Sequence, residues 1–138
     1  MLVNRRTLRI QWGDCDPAGI VYFPRYFEMF DVSSSLMMEV AGYPKHKALQ
    51  QFGVVGWPLI DVGAKFVKPS TYGEDVDIET RVTEWGRSSF RIEHRLLSAE
   101  ELRVEGWEKR VWVGRHPDDP ARLKSVPIPD AVLQKFQE

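Results

Sequence analysis

The residues best placed to do chemistry lie in one loop, Gly13-Asp-Cys-Asp-Pro-Ala-Gly-Ile-Val-Tyr-Phe-Pro24. Aspartates in loops commonly cap helices or close turns. Asp16, however, stands eight residues before Pro24, too far to be the N-cap of a helix that Pro24 opens. Between the two runs Ile20-Val-Tyr-Phe23, an apolar stretch that a surface loop does not need and that reads as a pocket wall. The first N–H groups of a helix have no acceptor within it, so those near Tyr22, Phe23 and Arg25 can polarise a carbonyl or hold an oxyanion. Gly19 allows the backbone to approach a ligand closely. A carboxylate facing the polarised carbonyl attacks it directly or activates a water. Thioesters suit this arrangement, because a departing thiolate needs little acid assistance. An amide would require a proton donor that the loop does not supply.

Competing chemistries fit less well. A cysteine nucleophile at Cys15 needs a base, and His46, His94 and His116 show no spacing that marks one. Cys15 is expected to be a buried free thiol. His94, in phase with Phe90, Ile92 and Leu96, is expected to be a packed, hydrogen-bonded residue, and His116 a turn residue. Asp14, Asp16 and Asp31 lack metal-ligand spacing, so neither a metal nor any other cofactor is expected. No glycine-rich phosphate loop is present.

The elements that must position this loop follow from periodicity. Leu8, Ile10 and Trp12 share one face of a first strand. From Pro24 the period becomes helical, with Tyr26 or Phe27, Phe30, Ser33 or Ser34, Met37 and Val40 or Ala41 on one stripe, and Gly42 and Pro44 end it. Residues 45–55 are ambiguous between a short helix and a connection. Ile60, Val62, Ala64 and Phe66 alternate with Asp61, Gly63 and Lys65. Further strands are expected at 75–83, 90–96 and 102–115, the last with a bulge at Gly106. A short strand near 123–126 and a helix from about Asp130 complete the chain. One long covered helix against an antiparallel sheet is an α+β arrangement, and its apolar helix and open sheet edges call for self-association.

The chain of 138 residues is one domain in size, with 43% hydrophobic and 28% charged residues, the balance of a globular protein. With 19 basic and 20 acidic side chains it offers no broad nucleic-acid surface, and the five tryptophans fall mostly at core-facing positions. No apolar run approaches membrane-spanning length. The N-terminus lacks the apolar segment of a secretory signal, and the single cysteine makes no internal disulfide, so a cytoplasmic setting is expected.

The string Gly13-Asp-Cys-Asp-Pro-Ala-Gly-Ile-Val21, followed by an aromatic pair, Pro24 and Tyr26, closely resembles the hotdog-fold acyl-CoA thioesterases, in particular their branch acting on 4-hydroxybenzoyl-CoA. Gly53-Val-Val-Gly56, Pro58, Ala64, Phe66, Ile78-Glu-Thr80, Glu84-Trp85, Ser89-Phe90 and Val126-Pro127 extend the resemblance across most of the chain. It implies a single hotdog domain over residues 1–138: a long central helix wrapped by a curved antiparallel sheet, paired into homodimers or homotetramers with active sites at the dimer interface. It also implies hydrolysis of an aryl-CoA, 4-hydroxybenzoyl-CoA or a close relative, as in aromatic-acid degradation. Broader short-chain, phenylacetyl or carrier-protein thioesterases and a non-catalytic acyl-CoA-binding protein are the alternatives.

By the same resemblance Asp16 is the catalytic carboxylate, as nucleophile or general base. Phe23 supplies the polarising N–H, and Asp31 receives the ring hydroxyl from across the interface. Gly19, Tyr22 and Trp57 fall in the substrate-binding region. The family's basic cluster for the CoA phosphates is reduced here to Arg87, with Ser88 beside it. Arg91, Lys109, Arg110 and Lys124 are weaker candidates for that contact. Trp57, where the family has a small residue before Pro58, is expected to reshape the acyl pocket.

Overall fold

Residues 1–138 are described by a computed structural model. In chain order the elements are β1 (Val3–Arg9), a single 3-10 turn (Trp12–Asp14), α1 (Pro24–Val40), α2 (Lys45–Phe52), β2 (Leu59–Phe66), β3 (Asp75–Trp85), β4 (Ser89–Ser98), β5 (Glu101–Val111), β6 (Val113–Arg115), β7 (Leu123–Ser125) and α3 (Asp130–Gln137). Five strands form one antiparallel sheet in the order β1-β3-β4-β5-β2, and β6 and β7 pair separately. This is the hotdog arrangement of a long helix against an antiparallel sheet.

Alternation decides which sheet face meets α1. On β3 and β4, Val76, Ile78, Val82, Phe90, Ile92 and Leu96 are buried, while Asp75, Asp77, Arg81 and Arg95 point away. α1 answers with Tyr26, Met29, Phe30, Ser33, Ser34, Met37 and Met38. The helix ends where Gly42 takes φ +91°, allowing the Tyr43 N–H to return to the Met38 carbonyl at 2.8 Å. Two apolar clusters result. Tyr26, Met29 and Phe30 meet Ile78, Leu96 and Val104 at one end of the helix. Met37, Met38, Trp57, Trp112, Val132 and Phe136 pack at the other.

Several expectations change. Trp12 does not continue the first strand. That strand begins at Val3 and stops at Arg9, and the indole is 74% exposed in the following turn, edge-on to Tyr72. The ambiguous segment contains α2, closed by Gly53 in a left-handed conformation. The expected strand 102–115 is interrupted at Trp112, where the chain leaves the main sheet for the small β6–β7 ribbon. Gly106 is no bulge, since it pairs regularly with both Ala64 and His94. Its missing side chain makes room for the Phe30 ring, which a Cβ there would meet at 2.5 Å. No helix is long and apolar enough to cross a membrane.

β1 and β2 are the sheet edges, and β2 is apolar on the helix side without being covered. Leu59, Ile60, Val62 and Phe66 are 44, 56, 43 and 50% exposed, and Val67 just beyond the strand is 51% exposed.

Candidate active site

The Asp16 loop is a miniature hairpin. Cys15 bridges Val21, the Asp16 N–H donates to the Ile20 carbonyl, and the Tyr22 N–H donates to the Asp14 carbonyl. At the tip, Asp16 Oδ1 accepts the Ala18 N–H at 2.8 Å and the Asp16 carbonyl accepts the Gly19 N–H at 2.9 Å. Gly19 has φ +83°, a value that a residue with a Cβ rarely adopts. The turn thus fixes the half-buried Asp16 carboxylate through one oxygen, while Oδ2 accepts no hydrogen bond from the chain.

The second leg of the hairpin runs into α1. Phe23 is the N-cap with helical backbone angles, and Pro24 follows at the first helical position. The Arg25 and Tyr26 N–H groups find the Tyr22 and Phe23 carbonyls, but the Phe23 N–H has no acceptor in the chain. It stands at the positive end of the helix dipole. Beside it is an open, apolar cavity of about 260 Å³ lined by Val21, Phe23, Tyr26, Phe66, Val67 and Lys68. The Phe23 and Tyr26 rings both meet Phe66 edge-on or tilted, so the cavity joins the uncovered edge of β2.

A network that the sequence did not reveal clamps this loop to the sheet. The Val21 N–H donates to the Ser70 carbonyl at 3.0 Å, and Ile20 bridges Thr71. That connection is gripped by Arg103, 9% exposed, which donates to the Pro69 carbonyl at 2.9 Å and to Glu74 at 3.0 Å. Burial pushes the Glu74 carboxyl up, but the Thr71 N–H and the Arg103 guanidinium outweigh it and hold the group below its ordinary range.

The remaining predicted positions are dispersed. Tyr22 is exposed and edge-on to Phe23. Asp31 lies eight residues along α1 from Phe23, about 12 Å at the helical rise, farther than a single benzene ring spans. Its carboxylate is 67% exposed and pairs with Arg110 at 2.7 Å. Trp57 is a core residue rather than part of the cavity: 6% exposed, its ring lies 4.9 Å from that of Trp112. Arg87 and Ser88 occupy the β3–β4 turn, at the far end of β3 from Ser70, a strand length of roughly 33 Å. Arg110, a weaker candidate for the phosphate contact, is 11% exposed and paired with both Glu108 and Asp31. Arg91 is paired with Glu93 and lies over the Trp107 ring.

Cys15 is half-buried rather than buried. Desolvation, then Asp14 and Asp16, push its thiol above the ordinary range, the reverse of what a nucleophile needs. His94 is packed as expected, 1% exposed, with hydrogen bonds at both ring nitrogens. His116 sits in the turn after β6, its Nδ1 accepting the Asp118 N–H.

Comparison with known proteins shows the family and the fold. The family model described as "Thioesterase-like superfamily" matches residues 10–136. The chain is 34% identical over 127 residues to a 4-hydroxybenzoyl-CoA thioesterase of Pseudomonas sp. (strain CBS-3), covering 88% of each chain. A crystal structure of a 4-hydroxybenzoyl-CoA thioesterase Asp-to-Asn mutant, complexed with 4-hydroxybenzoyl-CoA, superposes with TM-score 0.87 at 29% identity, covering 97% of this chain and 98% of that one. A gentisyl-coenzyme A thioesterase superposes with TM-score 0.81 at 28% identity, covering 98% and 100%.

Proposed function

The chain belongs to the thioesterase-like superfamily, and from that premise we propose that it hydrolyses a ring-hydroxylated aryl-CoA, 4-hydroxybenzoyl-CoA or a close relative, to the free acid and CoA. The observation that carries this reading is an unpartnered N–H at Phe23, beside an apolar cavity at the helix start, together with a half-committed carboxylate at Asp16 on the facing leg of the same hairpin. The thioester oxygen accepts from the Phe23 N–H, which stabilises the negative charge that grows on it. Asp16 then acts in one of two ways. As nucleophile it bonds to the carbonyl carbon, the C–S bond breaks, the CoA thiolate leaves, and water hydrolyses the resulting anhydride. As general base it takes a proton from water while the hydroxide adds to the carbonyl and the thiolate departs. No cofactor takes part in either route.

Asp31 fits the role of hydroxyl acceptor only across a subunit boundary. The exposed apolar edge of β2 pairs antiparallel with its own copy in this reading. Such pairing reverses the second copy, so that its Asp31 approaches the Phe23 end of the first and its Arg87–Ser88 turn lies at the same end of the joined sheet. Ile60→Lys combined with Val62→Lys is expected to give monomers in sedimentation and to cost about 10²-fold in kcat/KM through the lost second half of the site. A fully active monomer would remove the shared site.

Thiol release from 4-hydroxybenzoyl-CoA, gentisyl-CoA, benzoyl-CoA, phenylacetyl-CoA and butyryl-CoA tests the substrate. Hydroxylated rings are expected to lead. Equal rates on all five would retain a thioesterase and discard the aryl assignment. Affinity without any hydrolysis would favour an acyl-CoA-binding protein.

A further inference from the structure

Asp31 is exposed, yet it is held from the interior. Arg110 Nη2 donates to Asp31 Oδ1 at 2.7 Å, while the same guanidinium donates to Glu108 Oε1 through Nε at 2.9 Å and Nη2 at 2.6 Å, and to the Trp57 carbonyl through Nη1 at 3.2 Å. Glu108 is fixed in turn, its Oε2 accepting from the Ser34 hydroxyl and from His94 Nε2. His94 Nδ1 lies 2.8 Å from Thr80 Oγ1 and its ring stacks on Phe30 at 4.6 Å. Asp31 and Ser34 are three residues apart on α1, so this chain of contacts grips one helical turn at two points.

A surface ion pair between two flexible side chains holds neither in place. This one differs because the arginine is 11% exposed and tied at its other donors, leaving the carboxylate no freedom to swing it aside. Only Oδ1 of Asp31 is occupied, and Oδ2 accepts nothing from the chain. Glu108 and the Trp57 carbonyl accept three of the arginine's five N–H donors, and the solvent-facing aspartate accepts a fourth.

Building on the proposed aryl-CoA reading, we infer that Arg110 is a positioning residue for ring recognition: it fixes Asp31 so that Oδ2 points at the ring hydroxyl of a substrate held at the other protomer's Phe23. The fork matters, because one guanidinium serves both carboxylates where a lysine point charge serves one.

The test is the ratio of kcat/KM for 4-hydroxybenzoyl-CoA over benzoyl-CoA in wild type, Asp31→Asn, Arg110→Lys, Arg110→Gln and the Asp31→Asn/Arg110→Lys double variant. Arg110→Lys keeps a cation for buried Glu108 and so preserves the fold if Arg110→Gln does not. Arg110→Lys is expected to lower the ratio roughly ten- to hundredfold, the worth of one charge-assisted hydrogen bond. Turnover of benzoyl-CoA is expected to stay within about twofold, since the lost contact reaches only the hydroxyl. Added to Asp31→Asn it is expected to change the ratio no further, because the two act through one contact. An unchanged ratio in Arg110→Lys alongside a collapsed ratio in Asp31→Asn overturns the inference and leaves the substrate reading intact. A wild-type ratio near one overturns the substrate reading, and the inference with it.

Discussion

Asp16→Asn is expected to lower kcat by about 10²–10⁴-fold, the range supplied by a positioned acid–base or nucleophilic carboxylate, while acyl-CoA affinity and thermal stability stay close to wild type. The substitution is clean for a structural reason. Asp16 holds its turn through Oδ1, which accepts the Ala18 N–H, and an asparagine carbonyl oxygen accepts the same bond. What it removes is the negative charge and the basicity at Oδ2, the atom with no other work in the chain. Asp16→Ala would remove the turn contact as well and confound chemistry with loop order. The backbone donor at Phe23 survives either change, so residual turnover above the uncatalysed rate is expected from carbonyl polarisation alone. Single-turnover thiol release with saturating 4-hydroxybenzoyl-CoA, read beside a melting curve, makes the measurement. Wild-type turnover in a folded Asp16→Asn protein would exclude both proposed routes, whatever the substrate preference proved to be.

The candidate site divides into a part that the sequence exposes and a part that it hides, and the division follows chain distance. Asp16, Gly19, Tyr22 and Phe23 belong to one short hairpin. Its composition of aspartate, glycine and a proline-opened helix already dictates a turn beside a helix start, and the structure supplies both. The fold was legible for a similar reason, since the period of two in β3 and β4 and the stripe on α1 are local signals. The network of Glu108, His94 and Arg110 was not legible. In the sequence Glu108 and Arg110 flank Lys109 in an ordinary charged strand segment. Only the register of β5 against β4, and the room left by Gly106 for Phe30, turn those two side chains toward the helix instead of toward water. Arg103 and Glu74 were hidden in the same way, being a pair 29 residues apart whose purpose is to hold the Pro69–Ser70 connection under the Asp16 hairpin. Trp57, which the resemblance sets in the substrate-binding region, is buried against Trp112 and lines no part of the cavity beside Phe23.

The largest effect on stability is expected from Glu108→Gln. The carboxylate is 3% exposed and faces His94, Ser34 and Arg110, so it is the negative centre on which two buried nitrogen-bearing side chains converge. Neutralising one partner of a buried pair costs up to about 3–5 kcal/mol, and here Arg110 keeps only the solvent-exposed Asp31 as its counter-charge. In a chain of this size such a cost corresponds to a fall in Tm of about 10 °C or more, compared at equal protomer concentration. The pH dependence gives the prediction a signature that a packing defect would lack. Burial raises the Glu108 carboxyl, but hydrogen bonds from His94 and Ser34 and the field of Arg110 outweigh it, so the folded value lies below the ordinary 4.5. A carboxyl lowered on folding contributes stability that is fully present above its unfolded value and is lost as the pH falls toward its folded one. The Glu108 contribution to the stability difference between wild type and Glu108→Gln is therefore expected to shrink as the pH falls below 4.5. Taking the difference cancels the contributions of Glu74, Asp77 and Glu101, which are lowered in both proteins. Urea unfolding at a series of pH values measures it. A difference that is small, or that stays flat through pH 3, would mean that the buried charge does not fasten the Asp31–Ser34 turn of α1 to β5, and that shape alone keeps the helix in register on the sheet.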